Sequence, residues 1–471
     1  MSEAIVVGAG PNGLAAAVTL AREGVEVTVL EAEDAIGGGT RSGQATVPGL
    51  LHDHCAAVHP MGVGSPFLRS LDLAAHGVEW AWPEVDLAHP LDTGEAGVMT
   101  RSIDDTARHL GSDGPAWRRV FGPLAEGFDA LAEDILRPVV HVPRHPFRLA
   151  RYGLGAARPA SLMARRWRTD PARALFAGAA AHAFHPLSAP MSAAIGLMMV
   201  ASGHRHGWPV ARGGSATITT AMASILTGLG GTIETGARVR TVADIPRAGA
   251  VLLDLTPKAA ADLLGDRLPA HVRRAYRRYK PGPGAFKVDL AVEGGVPWTN
   301  DACRKAGTLH LGGTFEEVAA AERDMYRGRM PERPFVLVAQ QYLADPGRSV
   351  GDVHPVYAYA HVPHGYPHDA TEAVLAQMER FAPGLRERVV AVASRSTAAM
   401  ESYNANYVGG DIITGANTAL QLAMRPRVAL DPYRTGIPGV YLCSAATPPG
   451  AGVHGMCGHN AALSALRRLR R

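Results

Sequence analysis

The sequence predicts an α/β protein that opens on a parallel sheet, with an α+β unit farther along the chain. Three observations carry that expectation. The opening stretch "AIVVGAGPNGLAAAVTLAREGVEVTVLEAE" reads as strand, glycine turn, helix and second strand. The closing stretch "GVYLCSAATPPGAGVHGMCGHNAALSALRRLRR" reads as strand, glycine loop and helix. Between them, "AFKVDLAV" and "PVYAYAHVP" alternate in the period-2 manner of sheet strands.

Ala4 to Val7 form a short apolar run, as in a parallel strand buried on both faces. Gly8, Gly10 and Gly13, with Pro11 and Asn12 between them, then give a tight turn, a bare backbone that pyrophosphate can approach, and close helix–sheet contact. Leu14, Ala17, Val18 and Ala21 make one apolar stripe of the helix, and Gly24 marks its end. Val25, Val27 and Val29 make the next strand. Glu31 stands at its end with Ala32 beside it, 18 residues after Gly13. A carboxylate there accepts hydrogen bonds from ribose hydroxyls and repels a 2′-phosphate. The order of these parts predicts a Rossmann-like dinucleotide site and argues against NADP.

Spacing favours FAD over NAD. Gly37, Gly38 and Gly39 follow six residues beyond Glu31, just ahead of Arg41. A second glycine turn lets amides reach the pyrophosphate from its other side, and Arg41 meets its charge. No second strand–GxGxxG–helix unit follows. "TGLGGTIETGARVRTV" has glycines, but they lie between a helix expected over Ala216–Leu226 and strands.

With these pieces in place, the sequence resembles the phytoene desaturase-like flavoproteins, a branch related to the flavin-dependent amine oxidases. "GAGPNGLAAA", "LEAEDAIGGG", "PGLLHDHCAAVHP", "GWPVARGGSATI", "GGTIETGARV" and "GVYLCSAATPPGAGVHGMCGHNAA" carry the likeness in the family's order. It implies an FAD-binding domain of the glutathione reductase/amine oxidase type. It also implies that the last strand and glycine loop return to complete the FAD site beside the flavin. Ala445, Gly452, Val453, Gly455 and Met456 would then contact the cofactor, and Val239 would pair its backbone with the adenine. The helix starting near Met456 or Cys457 would aim free amides at the flavin and bury a stripe of Leu463, Leu466 and Leu469. Arg467, Arg468, Arg470 and Arg471 suit its negative end.

The FAD-binding domain is expected in three parts, residues 1–85, 205–265 and 400–471. Residues 86–204 and 266–399 would supply a helical substrate region and a substrate-domain sheet. In "PVYAYAHVP", Tyr357, Tyr359 and His361 face away from Val356, Ala358, Ala360 and Val362. They wall a substrate cavity or pack under a helix, and the sequence leaves both open. Residues 137–173 carry nine arginines against one acid, Asp170, with apolar and aromatic residues interspersed. They suit an anionic membrane surface, a route for lipophilic substrate, or a solvated basic face.

The 471 residues are 47% apolar with a net charge of +4, which does not suggest nucleic-acid binding. Cys55, Cys303, Cys443 and Cys457 show no CxxC or framework spacing and read as reduced thiols of a cytosolic protein. No run reaches a membrane span, and the N-terminus lacks a signal peptide's basic region. The oligomeric state stays open.

The resemblance implies hydride transfer from a lipophilic alkene or polyene to flavin N5, as desaturation or redox-assisted isomerisation. An amine or alcohol oxidase using oxygen, and a flavin-binding partner protein without turnover, stay open beside it. So does the electron acceptor: oxygen, a quinone or NAD. His59 and His454 are the acid–base candidates, each weighed against a structural histidine. His52, Asp53, His54 and His59 match no metal-ligand spacing, and no metal is expected.

Overall fold

The structure, a computed structural model, describes residues 3–470. Arg471, expected at the end of the terminal helix, lies outside them. Five strands form a parallel sheet in the order Val440–Leu442, Ala250–Leu253, Glu3–Val7, Glu26–Leu30, Thr232–Glu234. Strands from both ends and the middle of the chain thus share one sheet. Its residues alternate between two cores. Ala4, Val6, Val27, Val29 and Leu252 face the first helix (Pro11–Ala21), while Ile5, Val7, Leu30, Leu253 and Leu442 face a second cluster with Ala260, Leu264 and Tyr276.

The terminal helix, Met456–Leu469, packs against the first helix. It buries only part of the expected stripe, Leu466, and adds alanines to it. Leu463 is exposed and Leu469 only partly buried, whereas Ala461, Ala462, Ala465 and Leu466 are in the core. Small residues win because the two helices nearly touch. A Cβ on Gly458 would run into the Asn12 carbonyl, and one on Gly455 would stand 2.7 Å from Phe67 and 2.9 Å from Ala15. Gly455 also holds φ at +67°, the left-handed region that favours glycine.

A second sheet has seven strands in the order Val389–Arg395, Gly284–Glu293, Val353–Val362, Val336–Ala339, Ala306–Leu311, Val85–Pro90, Ala96–Met99. Its pairs are antiparallel except Ala306–Leu311 with Val85–Pro90. Val356, Ala358, Ala360 and Val362 pack under Val374 and Met378 of the helix Thr371–Glu379. The opposite face turns Tyr357 and Tyr359 into the main cavity, resolving that part of the sequence ambiguity. His361 does not join them. It stacks on Phe184 with ring centroids 3.7 Å apart and bonds Glu322 at 2.7 Å.

Candidate active site

A cavity of about 770 Å³ runs from the carboxyl ends of the parallel strands to the tyrosine face of the second sheet. Ligands of open α/β sheets bind at that edge, where strand ends leave a crevice. One half of the cavity is built by backbone. Gly8, Gly10, Pro11 and Asn12 line it, as do Glu31, Ala32, Gly38, Gly39 and Arg41. The two glycine turns stack closely: a Cβ on Gly38 would lie 3.1 Å from the Gly10 Cα, and one on Gly39 would collide with the Tyr407 hydroxyl. Val239, Ala445, Gly452, Val453 and His454 line the same cavity, so both chain ends reach it.

Three residues expected at the cofactor do not line the cavity. Gly13 lies against the Gly8 carbonyl, a close helix–strand contact, and its N–H donates to Asp254 Oδ2 at 3.0 Å. Gly455 makes the helix–helix contact described above. Met456 begins the terminal helix, and its N–H donates to His454 Nδ1 at 3.1 Å. That amide is therefore satisfied within the protein.

Glu31 is buried at its strand end. Its Oε2 accepts from the Ala9 N–H at 2.7 Å and its Oε1 from the Glu33 N–H at 3.0 Å, which fixes the carboxylate at the cavity wall. Arg41 donates to the carbonyls of Gly38 (3.1 Å) and Tyr403 (2.6 Å), and its guanidinium lies 4.4 Å from the Tyr403 ring centre. No carboxylate pairs with it among the described residues, so its charge stays available to an anion.

Sequence reasoning missed two charged residues. Asp254 ends the strand Ala250–Leu253 and faces the first glycine turn. Burial, opposed by the Gly13 N–H and reinforced by Glu31, pushes its carboxyl up to about 7. The signal was present in "VLLDLTPK", an apolar run ending in an acid before a Thr–Pro helix start. Arg425, only 1% exposed, donates to Asn417 Oδ1 at 2.6 Å and to the Ala445 carbonyl at 3.2 Å. Its guanidinium also stands 2.9 Å from the position of a Gly450 Cβ, beside the terminal glycine loop. No periodicity marks it.

His59 and His454 both line the cavity and are buried. Desolvation holds each near about 4, hence neutral at physiological pH. His59 Nε2 shares a hydrogen bond of 2.8 Å with Ser215 Oγ, and its Nδ1 has no partner among the described residues. The other residues of that histidine-rich stretch are used structurally. Asp53 pairs with Arg348 at 2.7 Å, His52 with Asp289 at 3.3 Å, and His54 with Arg395 at 2.8 Å.

The other half of the cavity is apolar. Ile195, Met198 and Met199 of the helix Ala193–His206 line it, with Phe184, Leu337, Tyr357 and Tyr359. Tyr357 donates to the Cys55 carbonyl at 2.5 Å. His182 also lines this half, its Nε2 2.9 Å from His310 Nε2. Desolvation lowers its pKa to about 3.

Residues 6–71 match the family profile of the NAD(P)-binding Rossmann-like domain. The whole chain is similar to an uncharacterised protein of Mycobacterium tuberculosis, at 26% identity, covering 98% of this chain and 97% of the relative. It superposes on an oxidoreductase from Methanosarcina mazei with a TM-score of 0.65 at 16% identity, covering 99% of this chain and 100% of that one. Putrescine oxidase gives 0.64 at 18% identity, covering 100% and 99%. At these identities the structural likeness establishes the fold, which is the α/β, Rossmann-like class expected from the sequence.

Proposed function

We propose that the chain is a flavin-dependent oxidoreductase that binds FAD along the glycine-built half of its cavity and a lipophilic substrate along the apolar half. One observation carries this reading: a single cavity joins a wall of bare backbone to a wall of methionine, isoleucine and aromatic side chains. The first wall fits an extended, anionic dinucleotide. Glu31 suits ribose hydroxyls, Arg41 suits the pyrophosphate, and the Gly10–Gly38 and Gly39–Tyr407 approaches leave no room for side chains. FAD, when bound, supplies a two-electron acceptor for a hydride from a substrate C–H bond.

The chain's own residues then position, desolvate and balance charge. The apolar wall excludes water and holds a greasy substrate through its volume. Arg425 places a buried positive charge beside the terminal loop, where the sequence reading had expected helix amides to act. His59 and His454 stay uncharged with one nitrogen each already committed, which suits a step that needs no strong base. Desaturation or isomerisation of an alkene or polyene is the substrate chemistry that this wall and the family resemblance favour together.

Amine oxidation is the second reading. The fold of putrescine oxidase and the perpendicular pair Tyr357 and Tyr359, 5.9 Å between ring centroids, favour it. Against it, Asp134, the acid lining the cavity away from the glycine turns, already accepts from the N–H groups of Arg144 and His145 at 2.8 Å.

Anaerobic mixing of the yellow holoprotein with isoprenoid alkenes and with primary amines tests the choice. Bleaching by alkenes, with colour restored by a quinone and no peroxide under air, supports the proposal. Bleaching by amines with peroxide release replaces it with the second reading. Colour untouched by either class, in a protein that dithionite still bleaches, favours a binding protein without turnover.

A further inference from the structure

The proposed function leaves unused the outer face of one helix, Pro146–Ala156. That helix is two-faced. Leu149, Tyr152, Gly153 and Ala156, spaced i, i+3, i+4 and i+7, line the cavity. Phe147, Arg151 and Leu154, spaced i, i+4 and i+7, lie on the other side, with Phe147 89% and Leu154 72% exposed. The preceding loop adds Val142, 89% exposed. Large apolar side chains grouped in this way mark a contact surface.

The charges around them are unbalanced. Of the nine arginines from 137 to 173, Arg144 pairs with Glu133, and Arg173 pairs with Asp170 and Glu316. The other seven have no carboxylate within 4.0 Å among the described residues. A globular surface normally mixes its signs, because clustered like charges repel.

We propose that this face docks the protein on a phospholipid bilayer containing anionic lipids. Phe147 and Leu154 enter the boundary between headgroups and acyl chains, while Arg151, Arg158 and their neighbours meet lipid phosphates. Charge complementarity selects this partner: guanidinium forks match phosphate oxygens, and seven of the nine arginines have no carboxylate partner among the described residues to compete. The helix has 11 residues and lies on the surface; no helix of the described residues is long and apolar enough to cross a membrane. Its inner face is cavity wall. A bilayer against the outer face would therefore stand about one helix diameter, roughly 10 Å, from the cavity. A lipid-dissolved substrate would need to pass only this helix. The docking surface stands independently of the flavin reading, since none of these exposed residues touches the glycine turns.

The test is co-sedimentation of the full chain with phosphatidylcholine vesicles, with and without about 30% phosphatidylglycerol. Binding is expected only to the anionic vesicles and should weaken with salt. The double variants Phe147→Ser/Leu154→Ser and Arg151→Glu/Arg158→Glu should each lower the bound fraction roughly tenfold. Nucleotide content and circular dichroism should not change, because these side chains point outward. Val392→Ser, on an exposed position of the edge strand Val389–Arg395, should bind as the parent does. Parent protein that stays in the supernatant with anionic vesicles, or a serine variant that binds undiminished, overturns the proposal. A parent dimer that the serine variant turns into a monomer assigns the face to a second copy and overturns it equally.

Discussion

The two halves of the cavity are made of different materials. The glycine-built half is shaped by main chain in close approach: Gly10 against Gly38 at its wall, backed by Gly13 against Gly8 and Gly458 against Asn12. The apolar half is shaped by flexible side chains such as Met198 and Met199 on a helix. Backbone cannot yield to an added atom, whereas a methionine can re-pack. The first half should therefore fail abruptly on substitution, and the second should change its selectivity while the fold survives.

The largest effect is expected at Gly458. Valine there forces the terminal helix off the first helix, since its Cβ meets the Asn12 carbonyl and lies 2.9 Å from the Ala16 nitrogen. A loss of at least about 3 kcal/mol is expected, seen as a collapse of thermal stability together with nucleotide retention. An unchanged melting temperature would break the comparison at its firmest point.

Glu31→Ala comes next. It removes the acceptor for two backbone N–H groups and, on the proposed reading, for the ribose, so FAD affinity should fall roughly 10- to 100-fold. Stability should drop by only about 1–2 kcal/mol. Full FAD occupancy in the purified variant would show that the ribose lies elsewhere.

Asp254 gives a pH signature. Its folded pKa, about 7, exceeds its ordinary value of 3.8, so the folded protein binds the extra proton between those values. This group therefore costs nothing at low pH, and stability is lost progressively as pH rises from about 4 through 7. Bound pyrophosphate would sharpen the trend, because it adds negative charge next to the same carboxyl. Asp254→Asn should flatten this part of the melting profile and gain up to a few kcal/mol at pH 8 relative to the parent. Parallel profiles for the two proteins from pH 5 to 8 would contradict the assignment.

Met198→Ala should have the smallest effect. The side chain is only partly buried and borders open cavity, so the loss should stay near 1 kcal/mol, with FAD affinity unchanged. Bulkier substrates should gain relative to slender ones in the anaerobic bleaching assay. Loss of FAD from this variant would mean that the two halves are not separable.

The same contrast explains what could be read from the sequence. Glycine spacing is a one-dimensional trace of close backbone approach, so Gly8, Gly10, Gly38 and Gly39 were legible, as was Glu31 at the strand end. The Tyr357 and Tyr359 alternation exposed two faces without saying which one met the cavity. The terminal helix was legible only in part: Leu466 is buried as its stripe suggested, Leu463 is not, because the buried face is set by how near the first helix lies. Gly458 and the alanines answer to that distance. Arg425 had no local pattern, since its partners Asn417 and Ala445 are joined to it only by the fold. Met198 and Met199 sit in an apolar run in which nothing marks a cavity wall.

The most direct measurement is titration of purified, nucleotide-stripped protein with FAD, followed by visible absorbance and by identification of the nucleotide released on denaturation. One FAD per chain bound in the parent, lost in the Gly458→Val protein and bound roughly 10- to 100-fold more weakly by the Glu31→Ala protein, is the predicted result. A parent protein that stays colourless in excess FAD, or that binds it as tightly after both substitutions, would contradict the claim that the two chain ends together form its site.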